Sequence, residues 1–345
     1  MRVMIVTDAW QPQVNGVART YEWLSRRLSS HVDLSMLTPE HFPRLPMPTY
    51  PEIELALAWP KTVAETINSN QPEIVHIATE GPLGLWARQH CVAANIPFTT
   101  CYHTRYPEYV ARRFPIPLRW TYSALRRFHS AAARTLVATN GLAQELKQYG
   151  FARVIPWRRG IDVSLFANGP IATLDLPRPI FLYVGRVAVE KNIDDFLKLD
   201  LPGSKIVVGD GPERQRLQAI YPCAHFLGAL HGEALGSVYR AADCFVFPSR
   251  TDTYGLVMAE ALAAGTPVAC YPTSGAKEII GTTNCGVMSD DLRAAALAAI
   301  RSPRSLCAEV GRSHSLEASA DNFLAILRDV MKNHAASGSR WGRFA

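Results

Sequence analysis

Short apolar runs alternate with stretches of helical spacing along the whole chain. Residues 3–7, 32–37, 74–77, 98–101 and 136–138 read as strands of one sheet, and residues 180–184, 205–208, 225–227, 244–247 and 268–270 as strands of a second. Most of these runs are continuously apolar, the pattern of parallel strands covered on both faces. Helical stretches such as 16–28 and 141–149 lie between them, so the pattern predicts an α/β class built from two successive sets of βαβ units. Asn168-Gly169-Pro170 and Pro177-Arg178-Pro179 interrupt regular structure between the sets. This gives a first domain at 1–167, a second at 168–315 and a C-terminal helix and tail at 316–345. That helix carries Phe323, Ile326, Leu327 and Val330 at helical spacing, and is expected either to cap its own domain or to pack back on the first. Ligands of open α/β sheets sit at the carboxyl ends of the strands, so a site is expected where two such sheets face each other across a cleft.

Two domains are the natural count for 345 residues, and 48% apolar residues are enough to fill two cores. A disordered, collagen-like or disulfide-framed chain is excluded. Asp8 ends the first apolar run too early for a secretory signal. No run approaches the ~18 apolar residues that span a bilayer, and a cytoplasmic protein is expected. Seven cysteines without C-x-x-C spacing read as inert buried thiols rather than a zinc site.

The formal charge of +6 changes the picture more. Residues 1–167 hold 18 basic and 12 acidic side chains, whereas residues 168–345 hold 18 of each. Between Tyr109 and Gln144 lie Arg112, Arg113, Arg119, Arg126, Arg127 and Arg134, with no Asp or Glu. An anionic partner is therefore expected to be met locally.

Several stretches carry candidate chemistry. From Pro248 to Leu262 the chain leaves an apolar run and opens an apolar helix, where backbone amides around Thr253, Tyr254 and Gly255 suit a phosphate group. Glu260 is the only charge between Leu256 and Ala264. It either faces solvent as an ordinary helix residue or accepts hydrogen bonds from a group such as a ribose diol. Arg186 and Lys191 enter the loop after 180–184, where they are surface charge or a pair suited to a pyrophosphate. Gly209-Asp210-Gly211-Pro212 closes the next strand, as a turn or as a close approach of backbone to ligand. Asn15-Gly16 opens a helix after the first strand without a G-x-G-x-x-G, which removes the main support for a dinucleotide-binding domain. His103 follows a buried-type strand and reads as a structural histidine or as a hydrogen-bond donor or proton carrier, while His76, inside its strand, reads as structural. No D-x-D occurs, so a carboxylate pair chelating a metal is not indicated.

In their order and spacing, Gly185-Arg186 with Lys191, Gly209-Asp210-Gly211-Pro212, Phe226-Leu227-Gly228, Ala242 to Ser249 and the Asp252-x7-Glu260 pair resemble glycosyltransferase family 4. Asp8-Ala9-Trp10, His76 to Gly84 and Tyr102-His103-Thr104 resemble a narrower branch. It includes bacterial GDP-mannose-dependent α-mannosyltransferases and sulfoquinovosyl- and glucuronosyl-diacylglycerol synthases. The resemblance implies the GT-B fold, two Rossmann-like domains with parallel sheets facing across a cleft, and a retaining, metal-independent hexosyltransferase that uses a UDP- or GDP-hexose and no cofactor. Arg186 and Lys191 then match the pair on the donor diphosphate, Glu260 the carboxylate on the donor ribose, and Asp252 the acidic residue on the transferred sugar. His103 matches a histidine near the sugar's reacting end, and Gly16 the glycine that approaches the donor. Gly209, Gly211, Phe226, Thr253, Tyr254 and Gly255 fall among the donor contacts. Asp252 replaces the commoner Glu, and Leu316 stands where many relatives carry Trp.

With that function in view, Arg119, Ser123, Arg126, Arg127, Ser130 and Arg134 form one helical stripe and Leu118, Tyr122, Leu125 and Ala132 another, with Trp120 and Phe128 flanking. A basic amphipathic helix with aromatic anchors suits an anionic membrane surface. Arg112, Arg113, Arg119, Trp120, Arg126 and Arg127 are therefore the expected membrane and acceptor residues, and a lipid such as diacylglycerol the expected acceptor. A merely solvated arginine face is the plainer alternative, and no motif supports nucleic acid. The alternatives for function are a mannosyltransferase acting on a soluble or polyprenyl-linked glycan, a nucleotide-sugar epimerase or hydrolase, and a non-enzymatic binding module.

Overall fold

The computed structural model describes residues 1–13, 16–47, 50–113 and 115–336, with the side chains of 47, 50–53, 109, 112 and 113 outside the described set. The chain forms two compact units, Met1–Arg158 together with the chain from Glu317 onward, and Arg159–Leu316.

The first unit contains β1 (Arg2–Val6), β2 (Asp33–Leu37), the antiparallel hairpin β3 (Arg44–Met47) and β4 (Tyr50–Ala56), then β5 (Ile74–Ile77), β6 (Phe98–Tyr102), β7 (Arg134–Val137) and β8 (Val154–Pro156). Outside the hairpin the strands form one parallel sheet in the order β2-β1-β5-β6-β7-β8. The second unit holds β9 (Ile180–Val184), β10 (Ser204–Val208), β11 (His225–Gly228), β12 (Cys244–Phe247), β13 (Val268–Cys270) and β14 (Gly286–Met288), parallel in the order β11-β10-β9-β12-β13-β14. In each sheet the first strand lies between neighbours reached in opposite directions, β1 between β2 and β5, β9 between β10 and β12. Such switch points open a crevice at the carboxyl ends of the two strands.

The two edge strands β8 and β14 and the hairpin are additions to the sequence reading. Val154-Ile155-Pro156 and Gly286-Val287-Met288 pair on one side only, and each offers just two adjacent apolar side chains beside a Pro or a Gly, which do not stand out as an apolar run.

The domain boundary also moves. The helix Val163–Ala167 belongs to the second unit, because Phe166 packs on Tyr239 with ring centroids 5.7 Å apart. The buried Arg240 donates to the carbonyls of Phe166 (2.9 Å) and Pro170 (2.9 Å). The division therefore falls after Arg158 instead of at 167/168, and Asn168-Gly169-Pro170 is a turn inside the second unit. Residue 316 closes that unit, and the helix Leu316–Ala336 runs into the first. There it buries Ala320, Phe323, Leu324, Leu327 and Val330 among Val3, Ile5, Ile74, Leu136 and Trp157. Trp157 Nε1 donates to the Ser319 carbonyl at 3.0 Å.

Asp8, just past β1, holds the start of the helix Pro82–Ala93 from outside, the cap position itself being Gly81. Its carboxylate accepts from the Leu83 amide (2.9 Å) and the Thr79 hydroxyl (2.8 Å), meeting orphan donors at the helix start. Burial raises this carboxyl above its usual range, and the Leu83 and Thr79 hydrogen bonds oppose that shift. Six of the seven cysteines are buried and Cys223 is exposed. Burial pushes the Cys91, Cys270 and Cys307 thiols up to about 12, and thiols kept protonated in this way are poor nucleophiles.

Phe323 has no exposed surface, so Phe323→Ala is expected to destabilise the first unit by about 3–5 kcal/mol. Urea unfolding followed by tryptophan fluorescence checks this, and a midpoint equal to wild type would contradict the placement of the helix.

Candidate functional site

In the second unit the switch point lies between β9 and β12, and the loops at its carboxyl edge are tied together by hydrogen bonds. The Gly185 amide donates to Val208 O (3.0 Å), Val187 N to Asp210 O (2.8 Å) and Gly209 N to Gly228 O (2.8 Å), linking the ends of β9, β10 and β11. Thr251 Oγ1 donates to Glu190 O at 3.1 Å, joining the loop after β12 to the loop after β9. Gly209 sits at φ +139°, and a Cβ there would run into the Gly185 carbonyl, so only glycine lets the two loops close.

This stitching brings two of the sequence candidates into contact. Lys191 Nζ donates to Asp252 Oδ1 at 2.6 Å. Burial works against the charge on Asp252, but the Lys191 ammonium and its hydrogen bond, with help from Ser249 and Arg159, hold the carboxyl below the usual carboxylate range. An ionised carboxylate only accepts hydrogen bonds, which suits donors such as sugar hydroxyls. Arg186 lies in the same loop, half-exposed, with its backbone carbonyl accepting from the Tyr183 hydroxyl at 3.0 Å. Gly211 lies in the loop after β10, its amide donating to Asp210 Oδ1 at 2.8 Å. Phe226, in β11, packs half-buried against the core of the unit.

The helix Leu256–Ala263 starts at Gly255, which takes φ +84° as its cap. Glu260 is buried, and the Tyr239 hydroxyl donates to its Oε2 at 3.0 Å. This excludes the ordinary solvated helix glutamate. Tyr254 enters the donor-contact reading through its backbone amide. It is fully buried with its hydroxyl 2.9 Å from His314 Nδ1, which leaves the backbone of this residue, and not its ring, for a ligand. One cation escaped the sequence reading. Arg159 is buried, donates to Thr253 Oγ1 at 3.2 Å and lies 5.8 Å from the centre of the Tyr254 ring. The arginine pair before Gly160 was its only signal, and its partners are almost a hundred residues away.

In the first unit Gly16 is the exposed first residue of the helix Gly16–Leu28, and Asn15 lies outside the described residues. His103 is buried just past β6, its Nε2 2.8 Å from the Tyr21 hydroxyl and its Nδ1 3.7 Å from Cys101 Sγ. Tyr21 was not anticipated, because helical spacing marks it only as a core residue.

The helix Leu118–Ser130 carries Arg119, Arg126 and Arg127 of the acid-free segment. It buries Tyr122, Phe128 and His129, whereas Leu118 is 42% and Trp120 63% exposed. The expected apolar stripe is corrected at Leu118, which lies in the first turn with no preceding turn to pack against. Arg134 is in β7, not the helix, and pairs with Asp329 at 3.4 Å. Among the described residues no carboxylate pairs with Arg119, Arg126 or Arg127. The backbone of Arg112 and Arg113 closes the helix Tyr106–Arg113, and their side chains lie outside the described residues. A groove of about 910 Å³, lined by Trp120, Arg126, Arg127 and Arg153, runs along the helix. It lies at the amino ends of β7 and β8, whereas His103 follows the carboxyl end of β6.

Asp252 titrates lower in the folded than in the unfolded chain. Its contribution to stability is therefore present above the ordinary carboxylate pKa of ~3.9 and is lost as pH falls through the folded value. Asp252→Asn is expected to flatten the acid limb of stability against pH. Urea midpoints between about pH 6 and about pH 3 check this, and an acid limb as steep as wild type would contradict the ion pair.

Residues 13–165 match Glycosyltransferase Family 4, and residues 178–302 match a family described as Glycosyl transferases group 1. The GDP-mannose-dependent alpha-mannosyltransferase of Mycobacterium tuberculosis is 30% identical, over 84% of this chain and 83% of that one. The alpha-monoglucosyldiacylglycerol synthase of Streptococcus pneumoniae is 26% identical, over 94% of this chain and 83% of that one. Among solved structures, sucrose-phosphate synthase from Thermosynechococcus elongatus aligns with a TM-score of 0.76 at 20% identity, covering 96% of this chain and 100% of that one. The fold is GT-B, and the chain belongs to glycosyltransferase family 4 as a glycosyltransferase of nucleotide sugars.

Proposed function

We propose that this enzyme moves a hexosyl group, with retention at the anomeric carbon and without a metal, from a UDP- or GDP-hexose to a membrane lipid acceptor such as diacylglycerol. The observation that carries the donor half is the Lys191–Asp252 pair, held at the β9/β12 switch point by loops fixed to one another. In this reading Arg186 and Lys191 hold the diphosphate, Asp252 accepts from hydroxyls of the transferred sugar and Glu260 accepts from the ribose. Gly209, Gly211, Phe226 and the backbone of 253–255 line the nucleotide. His103 and Gly16 are the first unit's candidates for contact with the sugar.

The acceptor hydroxyl forms its new bond to the anomeric carbon on the face from which the nucleotide departs, as the bond from that carbon to the phosphate oxygen breaks. The acceptor proton passes to the departing diphosphate, whose growing charge Arg186, Lys191 and the amides at the start of the helix Leu256–Ala263 stabilise. Arg186→Ala is expected to lower kcat by roughly 10²–10³. Near-normal turnover by that variant, measured as nucleoside diphosphate released from a nucleotide sugar, would remove Arg186 from the reaction.

The lipid half rests on the helix Leu118–Ser130. Its arginines, which pair with no carboxylate among the described residues, its exposed Trp120 and the groove beside them suit an anionic bilayer surface, where each arginine contributes about 1 kcal/mol. Among the described residues no helix is long and apolar enough to cross a membrane, and the mode proposed is peripheral, on the cytoplasmic face. Sedimentation with phosphatidylglycerol vesicles is expected, weakening with salt and lost in an Arg126→Glu, Arg127→Glu double variant. Equal binding by that variant would sink the membrane reading. The 30% identity to a GDP-mannose-dependent mannosyltransferase favours a second reading, mannosyl transfer to a glycan. Thermal shifts with UDP, GDP and their hexoses separate the donors, and turnover with diacylglycerol against a glycan separates the acceptors.

A further inference from the structure

The hydrogen bonds around His103 form a chain that reaches back into the sheet. The Tyr21 hydroxyl, fully buried on the helix Gly16–Leu28, lies 2.8 Å from His103 Nε2 and 2.8 Å from His76 Nε2. His76, in β5, places its Nδ1 2.8 Å from Thr99 Oγ1 in β6. The three rings pack around Trp157, with centroids 6.1 Å (Tyr21), 6.4 Å (His76) and 6.3 Å (His103) away. Phe323 of the terminal helix closes the cluster, 4.8 Å from His76 and 5.1 Å from Trp157. A tyrosine hydroxyl has one proton. It donates to one of the two Nε2 atoms, which must be bare, and accepts from the other, which must carry a hydrogen. The rings therefore hold opposite states at Nε2, and the tautomer of one dictates that of the other.

Two arrangements satisfy that rule. In the first, His76 Nδ1–H donates to Thr99, Tyr21 donates to His76 and His103 Nε2–H donates to Tyr21. In the second, every donor is reversed along the chain. Only the first leaves His103 Nδ1 bare, able to accept a hydrogen bond from a sugar hydroxyl, since its Nε2 already carries the ring hydrogen and donates. Cys101 Sγ, 3.7 Å from Nδ1, is a weak donor that a stronger one displaces. Burial holds His76 neutral, its pKa lowered to about 3, so the inner end of the chain carries no charge that would favour the reverse order.

We propose that Tyr21 and His76 are positioning residues for His103, fixing its ring as the Nε2–H tautomer with Nδ1 as the acceptor. The inference rests on the reading of His103 as a residue that meets the transferred sugar, and it adds the two residues that orient it. A structural role alone would predict a loss of stability and no change in tautomer.

The test uses full-length enzyme labelled with ¹⁵N-histidine. In two-bond ¹H–¹⁵N spectra at neutral pH, His103, assigned by the loss of its signals in His103→Ala, is expected to show a protonated Nε2 and a bare Nδ1. An Nδ1–H tautomer in the wild type would overturn the proposal without recourse to any Tyr21 or His76 variant. Tyr21→Phe removes the shared proton. It is expected to mix the His103 tautomers and to lower kcat roughly tenfold to a hundredfold, with KM for the nucleotide sugar within about twofold of wild type. His76→Gln keeps an acceptor near the Nε2 position and is expected to restore most of what a His76→Ala variant loses. If His103→Ala is inactive while Tyr21→Phe keeps full turnover and an unchanged spectrum, the positioning role fails and the sugar-contact reading stands. If His103→Ala keeps full turnover, both fail together.

Discussion

A parallel sheet can leave neither face to water, and that constraint shapes this molecule more than any single contact. Strands such as β1, β5, β9 and β12 are buried along almost their whole length, so each sheet needs a layer of helices on both sides. The second unit finds its cover within one continuous segment. The first does not, and one of its faces is finished by the terminal helix, whose Phe323, Leu327 and Val330 fill the space over β1, β5 and Trp157. The same helix supports His76 and Trp157, and through them the surroundings of His103.

The polar groups of the second unit follow from the other property of such sheets, the crevice where strand order reverses. Loops that leave neighbouring strands must run side by side there, and glycines at 185 and 209 let their backbones touch. Charged side chains carried on the loops are then forced together. A lysine and an aspartate sixty-one positions apart become an ion pair, with a buried arginine beside Thr253 as a third member. Cations exceed carboxylates in this set, which leaves it fitted to a ligand that brings its own negative charge.

Much of the fold was legible because apolar runs flag buried strands directly. The reading of 74–77, 180–184, 244–247 and 268–270 coincides with β5, β9, β12 and β13 residue for residue. The boundary was misread because a Gly-Pro turn looks the same between domains as inside one. What decides the matter is Arg240 binding the carbonyls of Phe166 and Pro170 across some seventy positions. The candidate residues were legible as types and spacings, through the resemblance they carry. Their partners were not. Tyr21, His76 and Arg159 have ordinary local sequence, and their interest lies wholly in what β5, β6 and the loop after β12 bring to them. Tyr254 shows the converse, since a promising position in a motif turned out to point its ring into the core.

The interrupted make-up of the first unit bears on how the protein is made. Synthesis proceeds from the N-terminus, and domains generally fold as units once their chain is available. Arg159–Leu316 is a single stretch and has everything it requires as soon as its last strand and helices have been translated. The unit that begins the chain must wait longest, because the helix that closes its core is the last described element to leave the ribosome. Until then Val3, Ile5, Ile74 and Leu136 lack the side chains that cover them. The earlier-translated of the two units is thus the one completed later, and a ribosome stalled soon after residue 316 would release a finished second unit attached to a first still open on one face.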